Sequence, residues 1–90
     1  PYSFSSLYNL TSLNLGGNYL INLDKTLIGL VRLNGLQLDK NRINLIEKNA
    51  FRGTESNLTL LSLTLNELSN IKSYYFENLI NLHELDISQN

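Results

Sequence analysis

The chain has 90 residues, enough for one small domain or for part of a larger protein. Seven basic and eight acidic residues give a net charge of -1, so the chain lacks the basic face that a nucleic-acid backbone requires. Charged and asparagine residues interrupt every apolar stretch, and no stretch approaches the roughly 18 residues of a membrane span. We therefore expect neither nucleic-acid binding nor a membrane span within this segment.

A nine-residue spacing, L-x-x-L-x-L-x-x-N, occurs four times along the chain. The four matches are LTSLNLGGN (10–18), LNGLQLDKN (33–41), LTLLSLTLN (58–66) and LHELDISQN (82–90). Measured between their first leucines, successive units are 23, 25 and 24 residues long. Neither a helical period nor simple alternation explains such a unit, whereas a stack of similar supersecondary units does.

The x-L-x-L part of each unit predicts a short strand. In the first unit, Leu13 and Leu15 would point inward, while Ser12 and Asn14 would point outward. The same pattern predicts parallel strands centred near 12–14, 35–37, 60–62 and 84–86. One such strand cannot bury its apolar face alone, but four in parallel register can. We expect short helical turns around 24–29, 47–53 and 73–78 between these strands.

The asparagine that closes each nine-residue match has a structural role in this scheme. An asparagine side chain offers two donors and an acceptor close to the backbone, so it can bond the groups that a turn leaves unpaired. We predict a buried ladder of four such residues, one in each unit: Asn18, Asn41, Asn66 and Asn90.

The repeat resembles the leucine-rich repeat family, in its typical subclass of about 24 residues. The stretch KNAFRGTESNLTLLSLTLNEL and the closing LDISQN are most similar to animal extracellular members, such as the chaoptin, Slit and Toll-type ectodomains. The resemblance implies an α/β solenoid: a right-handed coil with a short-stranded parallel sheet on its concave face and a mostly irregular convex side. Two positions depart from the pattern, Leu27 where phenylalanine is expected and Thr54 where leucine is expected. Phe4, Phe51 and Phe76 are expected to form a stacked aromatic row.

The repeat also predicts how the segment is divided. Residues 1–9 match the tail of a preceding repeat, 10–32, 33–57 and 58–81 are full repeats, and 82–90 begin a further one. We expect flanking repeats and caps in a longer parent chain, because a solenoid needs polar capping repeats.

The outward strand positions are the candidate binding surface, since they form the concave face on which this family usually contacts its partners. These positions are Ser12, Asn14, Gly35, Gln37, Leu60, Ser62, Glu84 and Asp86. The alternative interpretation of each single residue is an ordinary solvated strand position. For the face as a whole we favour binding, because flat repeated surfaces recur in recognition modules.

Catalysis and cofactors are not expected. Glycosidase chemistry would need a shaped cleft around Glu84 and Asp86, and a metal would need more ligands than these two. His83, the single histidine, has no cysteine or second histidine for a zinc site. His83 should point away from Glu84. We predict no enzyme activity, no cofactor and no metal.

Two N-glycosylation sequons begin at Asn9 and Asn57, although chance would supply about as many in a chain so rich in Asn, Ser and Thr.

These features favour a non-catalytic recognition or adhesion segment of a larger extracellular or cell-surface protein, with a protein as its partner. The alternative from the same repeat is an intracellular scaffold of signalling proteins. A substrate-recognition arm of a larger signalling protein or enzyme is a further alternative.

Overall fold

The computed structural model describes residues 7–72 and 74–90. Its strands are β1 (Ser12–Asn14), β2 (Asn22–Leu23), β3 (Gly35–Gln37), β4 (Leu45–Ile46), β5 (Leu60–Ser62) and β6 (Glu84–Asp86). The one helix in the described ranges is a 3₁₀ turn at Lys25–Leu27, which the Asp24 side chain caps by accepting from the Thr26 backbone N–H. The remaining connections are turns and irregular segments.

Four of the strands form one parallel sheet in the order β1-β3-β5-β6. The strands predicted from the repeat are confirmed, and their register is unbroken. The leucine at the centre of each strand is aligned with those of its neighbours: Leu13 with Leu36, Leu36 with Leu61, and Leu61 with Leu85. Strands β2 and β4 make a second, two-stranded parallel sheet.

The inward leucines of the strands fill the core. Leu36 and Leu61 are buried at the centre of the sheet, and each contributes roughly 1.5–3 kcal/mol through the hydrophobic effect. Leu85 is 41% exposed, although it occupies the same inward position. Strand β6 is the edge strand of the sheet and has a neighbour on one side only. The repeat pattern therefore assigns the direction of a side chain, whereas its burial depends on neighbours on both sides.

The two departures from the repeat are accommodated without disturbing the strands. Leu27 is buried where the pattern expects phenylalanine. Thr54 is fully buried, and its hydroxyl donates a hydrogen bond of 3.1 Å to the Leu33 carbonyl. The threonine thus satisfies a backbone group at the start of its own unit, which leucine could not do.

The expected aromatic row is wrong for the residues that can be examined. Phe4 lies outside the described residues. The ring pairs among the described residues join Tyr74 to Tyr75 and Tyr75 to Phe76, each edge to face. Tyr75 is 3% exposed, whereas Phe76 is only half-buried. Rings that are consecutive in the chain therefore pack on each other within one turn. The edge-to-face arrangement is favourable because the positive edge of one ring meets the negative face of the next.

A left-handed backbone position follows each strand of the large sheet. The φ angles there are 72° at Gly17, 58° at Lys40, 57° at Leu65 and 58° at Gln89. Three of these residues carry side chains that disfavour positive φ. The conformation recurs because it turns the backbone N–H groups toward the next unit: the N–H of Lys40, for example, donates to the Thr64 carbonyl at 3.0 Å.

Candidate functional site: the outer face of the sheet

The outer face of the four-stranded sheet is the side that points away from the leucine core. Two rows of side chains cross it, each with one residue from every strand in register. The first row is Ser12, Gly35, Leu60 and Glu84, and the second row is Asn14, Gln37, Ser62 and Asp86. Gly35, Leu60 and Ser62 are half-buried, while the other five residues are exposed. The structure thus places all eight predicted surface residues on one face.

An open depression of about 560 Å³ lies over the first row. It is lined by Thr11, Ser12, Asn34, Gly35, Gln37, Thr59, Leu60, His83 and Glu84. The whole first row and Gln37 belong to it, whereas Asn14, Ser62 and Asp86 do not. The depression crosses all four strands near their amino ends, so it covers one part of the candidate surface.

Four of the lining residues were not predicted as surface contacts. Thr11, Asn34, Thr59 and His83 each stand one residue before a strand. The signal that could have identified them is their common position in the repeat, directly before the first-row residue. His83 lines the same depression as Glu84, and its ring Nδ1 lies 2.8 Å from the Asn81 carbonyl oxygen.

Gly35 forms the floor of the depression. A Cβ built on it would approach only the Ser12 hydroxyl oxygen, at 4.0 Å. Gly35 is also absent from the glycines with positive φ, so its backbone conformation is open to other residues. A strand glycine costs about 0.5–1 kcal/mol relative to alanine. Neither packing nor backbone geometry therefore requires glycine here, and its missing side chain leaves the centre of the depression empty.

Much of the second row is tied to the protein itself. The Asn14 side chain accepts from the Gly16 N–H at 2.9 Å, and the Ser62 hydroxyl donates to the Asp39 carboxylate at 2.6 Å. Asp86 accepts from the backbone N–H of Ser88 at 3.0 Å. Hydrogen bonds from Ser88, the backbone bond first, hold the pKa of Asp86 below its usual value. These side chains are fixed by internal bonds, which makes this part of the face rigid.

Three polar side chains that line the depression differ in this respect. The side chains of Ser12, Gln37 and Glu84 make no hydrogen bond to any other residue in ranges 7–72 and 74–90. Their hydroxyl, amide and carboxylate groups are exposed within or beside the depression. The depression therefore presents polar groups that are available to a bound molecule.

The predicted asparagine positions hold the turns beneath this face. The Asn41 carboxamide oxygen accepts from the Leu20 N–H at 3.1 Å. Its nitrogen donates to the carbonyls of Leu38 at 2.9 Å, Leu15 at 3.1 Å and Asp39 at 3.3 Å. Asn41 thereby bonds its own turn and the preceding unit at once.

Asn66 repeats this arrangement one unit later. Its oxygen accepts from the Ile43 N–H at 3.0 Å, and its nitrogen donates to Leu38 at 2.9 Å and Leu63 at 3.0 Å. Both Asn41 and Asn66 are buried. The Leu38 carbonyl thus accepts from two successive asparagines, which couples neighbouring units.

The outer two asparagines are exposed, in contrast to the expected buried ladder. Asn90 makes the same bonds as Asn66, including acceptance from the Leu68 N–H at 3.1 Å. Among the described residues, Asn18 donates only to the carbonyls of Leu15 and Gly16 in its own turn. The difference follows from position, because the asparagine is shielded only where a described unit lies on each side.

The two sequon asparagines are not equivalent. The Asn57 side-chain nitrogen donates to the Val31 carbonyl at 2.5 Å, and Asn81, one unit later, donates to Ser56 at 2.7 Å. The Asn9 side chain has no such bond within the described part of the chain and is exposed. The nitrogen to which a glycan would be joined is therefore engaged at Asn57 and accessible at Asn9.

The described residues contain no group of three or more His, Cys, Asp or Glu side chains placed to hold a metal ion. No helix within the same residues is long and apolar enough to cross a membrane. No protein-family model matches the chain, and a search of curated proteins finds no match either. The repeat and the geometry of the outer face are therefore the features of this chain that bear on its function.

Proposed function

We propose that this chain is a leucine-rich repeat segment that recognises a protein partner through the outer face of its sheet, without catalysis. The observation that carries the proposal is the register of β1, β3, β5 and β6, which aligns equivalent residues of four repeats in rows across one face. Rows of this kind form the extended surfaces with which repeat proteins bind their partners. In the proposed solenoid, the outer face is the concave surface.

The composition of the face supports protein recognition. It combines exposed polar side chains with one half-buried apolar residue, Leu60, in its interior. Protein interfaces commonly surround an apolar contact with polar groups at a solvated rim. The internal bonds of Asn14, Ser62 and Asp86 keep part of the face in a fixed shape, which lowers the entropy lost on binding.

Binding through this face can be tested with a matched pair of variants. Leu60→Glu places a charge in the depression, whereas Leu45→Glu makes the same substitution in β4 of the other sheet. The tagged chain and both variants are screened against an array of purified extracellular domains. We expect partners bound by the wild-type chain and by Leu45→Glu to be lost with Leu60→Glu. Thermal unfolding of each variant shows that it remains folded.

Equal binding by Leu60→Glu and the wild-type chain would place recognition elsewhere and refute this use of the outer face. A wild-type chain that binds no domain on the array would likewise count against the proposal.

We also propose an extracellular or cell-surface location, with the parent protein an adhesion or receptor ectodomain. The support is the resemblance of KNAFRG and LDISQN to animal extracellular repeats. The exposed sequon at Asn9 is compatible with secretion but is not evidence for it. Expression in secreting cells, followed by mass spectrometry of glycopeptides, tests it. We expect a glycan at Asn9 and lower occupancy at Asn57, whose nitrogen bonds Val31. A full-length transcript that encodes an uninterrupted cytosolic protein would contradict the extracellular location and favour a scaffold.

A further inference from the structure

The first row of the outer face has an ordered chemical sequence. From β1 to β6 it presents a hydroxyl at Ser12, no side chain at Gly35, an apolar group at Leu60 and a carboxylate at Glu84. Neighbouring strands lie about 4.8 Å apart, so these four chemistries follow one another across the sheet. The open space over Gly35 is thus followed by the apolar side chain of Leu60 and then by the carboxylate of Glu84.

A long side chain with an apolar stem and a cationic head is complementary to this order. Arginine and lysine bury their methylene stems against apolar surface while the charged head stays polar. Here the stem would lie over Gly35 and against Leu60, and the head would meet Glu84. A further acceptor is present in the carboxamide of Gln37, which is not bonded to another described residue.

We propose that the depression binds an arginine side chain presented by the protein partner, with the guanidinium paired to Glu84. Arginine is favoured over lysine because its planar fork can bond a carboxylate through two parallel hydrogen bonds and still offer donors to Gln37. The inference rests on the proposed function and adds the chemistry of the residue that the partner inserts.

Three features distinguish the depression from an ordinary strand surface. Gly35 leaves the floor open, although a Cβ there would meet nothing closer than 4.0 Å and the backbone does not require glycine. A strand glycine of this kind often marks the close approach of a ligand. The polar groups around it are available, whereas Asp86, two residues from Glu84 on the same strand, is engaged with Ser88. The depression therefore combines an open floor, a carboxylate and polar groups without a partner among the described residues.

The test uses the 90-residue chain and two short peptides, acetyl-Gly-Gly-Arg-Gly-Gly-amide and the same peptide with citrulline in place of arginine. Citrulline keeps the shape of the side chain and removes its charge. Backbone amide shifts of the protein are followed by NMR while each peptide is added to millimolar concentration. We expect saturable shifts centred on Gly35, Leu60 and Glu84 with the arginine peptide, and at least tenfold weaker binding of the citrulline peptide.

Three variants sharpen the result. Glu84→Gln removes the negative charge that would pair with the guanidinium, and it should lower the affinity for the arginine peptide at least fivefold. Gly35→Val fills the floor and should abolish binding while leaving thermal stability unchanged or higher, because valine favours strands. Glu47→Gln removes an exposed carboxylate that follows β4 of the other sheet, outside the depression, and should leave the affinity unchanged.

Equal affinity for the two peptides, shifts away from the depression, or an equal loss with Glu47→Gln and Glu84→Gln would overturn the arginine site. Such a result leaves the proposed function standing if Leu60→Glu still abolishes binding on the array of extracellular domains. Failure of both experiments refutes recognition by the outer face altogether.

Discussion

Replacing Asn66 by leucine should destabilise the protein even though it adds an apolar side chain to a position that is 8% exposed. The substitution removes the acceptor of the buried Ile43 N–H, which is bonded at 3.0 Å. The two carbonyls closest to the Asn66 nitrogen keep a donor each, because Leu38 still accepts from Asn41 and Leu63 from Asn90. One buried donor is therefore left unpaired, at a cost of about 1–3 kcal/mol.

Equilibrium unfolding in urea, followed by far-ultraviolet circular dichroism, measures this cost. The matched control is Asn18→Leu, since Asn18 is exposed and accepts no hydrogen bond from another described residue. The control should change the free energy of unfolding by less than about 0.5 kcal/mol, as exposed substitutions usually do. If Asn66→Leu changes the free energy of unfolding by no more than Asn18→Leu does, the role assigned to the buried carboxamide is refuted.

The shared carbonyl of Leu38 gives a second measure of the same reasoning. Asn41→Leu alone removes the acceptor of the Leu20 N–H and should also cost about 1–3 kcal/mol. Each single variant leaves Leu38 with one donor, but the double variant removes both. The loss of unfolding free energy in the double variant should therefore exceed the sum of the losses in the two single variants. The excess should be about 1 kcal/mol, because the buried Leu38 carbonyl then has no donor. Strict additivity would show that the units are not coupled through Leu38.

Three further substitutions test separate features. Thr54→Val should lower the free energy of unfolding by about 1–2 kcal/mol, because the Leu33 carbonyl loses the hydroxyl bonded at 3.1 Å; an unchanged urea midpoint would contradict this. At Leu65, where φ is 57°, the glycine variant should be more stable than the alanine variant by about 0.5–1 kcal/mol in the same assay, the reverse of the usual order. Thr26→Val should raise the pKa of Asp24 in a carbon-13 NMR titration of its carboxyl group, because the Thr26 hydroxyl is the main cause of its lowered value.

The sign of the Asp24 effect also predicts a pH dependence. The pKa of this carboxyl is lowered in the folded chain from an ordinary value of 3.8. The stabilisation from its bonds to Thr26 is therefore complete above that value and is lost as the pH falls through the folded pKa. Thr26→Val should flatten this part of the stability profile. If the variant and the wild-type chain lose stability identically at low pH, the Thr26 hydroxyl is not the cause of the lowered pKa of Asp24.

Much of the fold follows from the sequence alone, for a local reason. Strand alternation and a nearly constant repeat length bring Leu13, Leu36 and Leu61 to equivalent places in successive units, and in the structure they are in register. The type of bond made by the closing asparagine also follows from its short side chain. The aromatic positions were less predictable, because Tyr75 and Phe76 pack on each other within one turn.

Only the tertiary structure decided how equivalent positions differ from one another. The sequence places Gly35 and Asp86 on the same face. Only the assembled sheet shows that Gly35 lines a depression, whereas the Asp86 carboxylate accepts a hydrogen bond from Ser88. The pattern likewise treats Asn18 and Asn66 as the same residue, yet one is exposed and the other buried. A repeat fixes direction and spacing through local geometry, whereas burial and hydrogen-bond partners depend on neighbours more than twenty residues away.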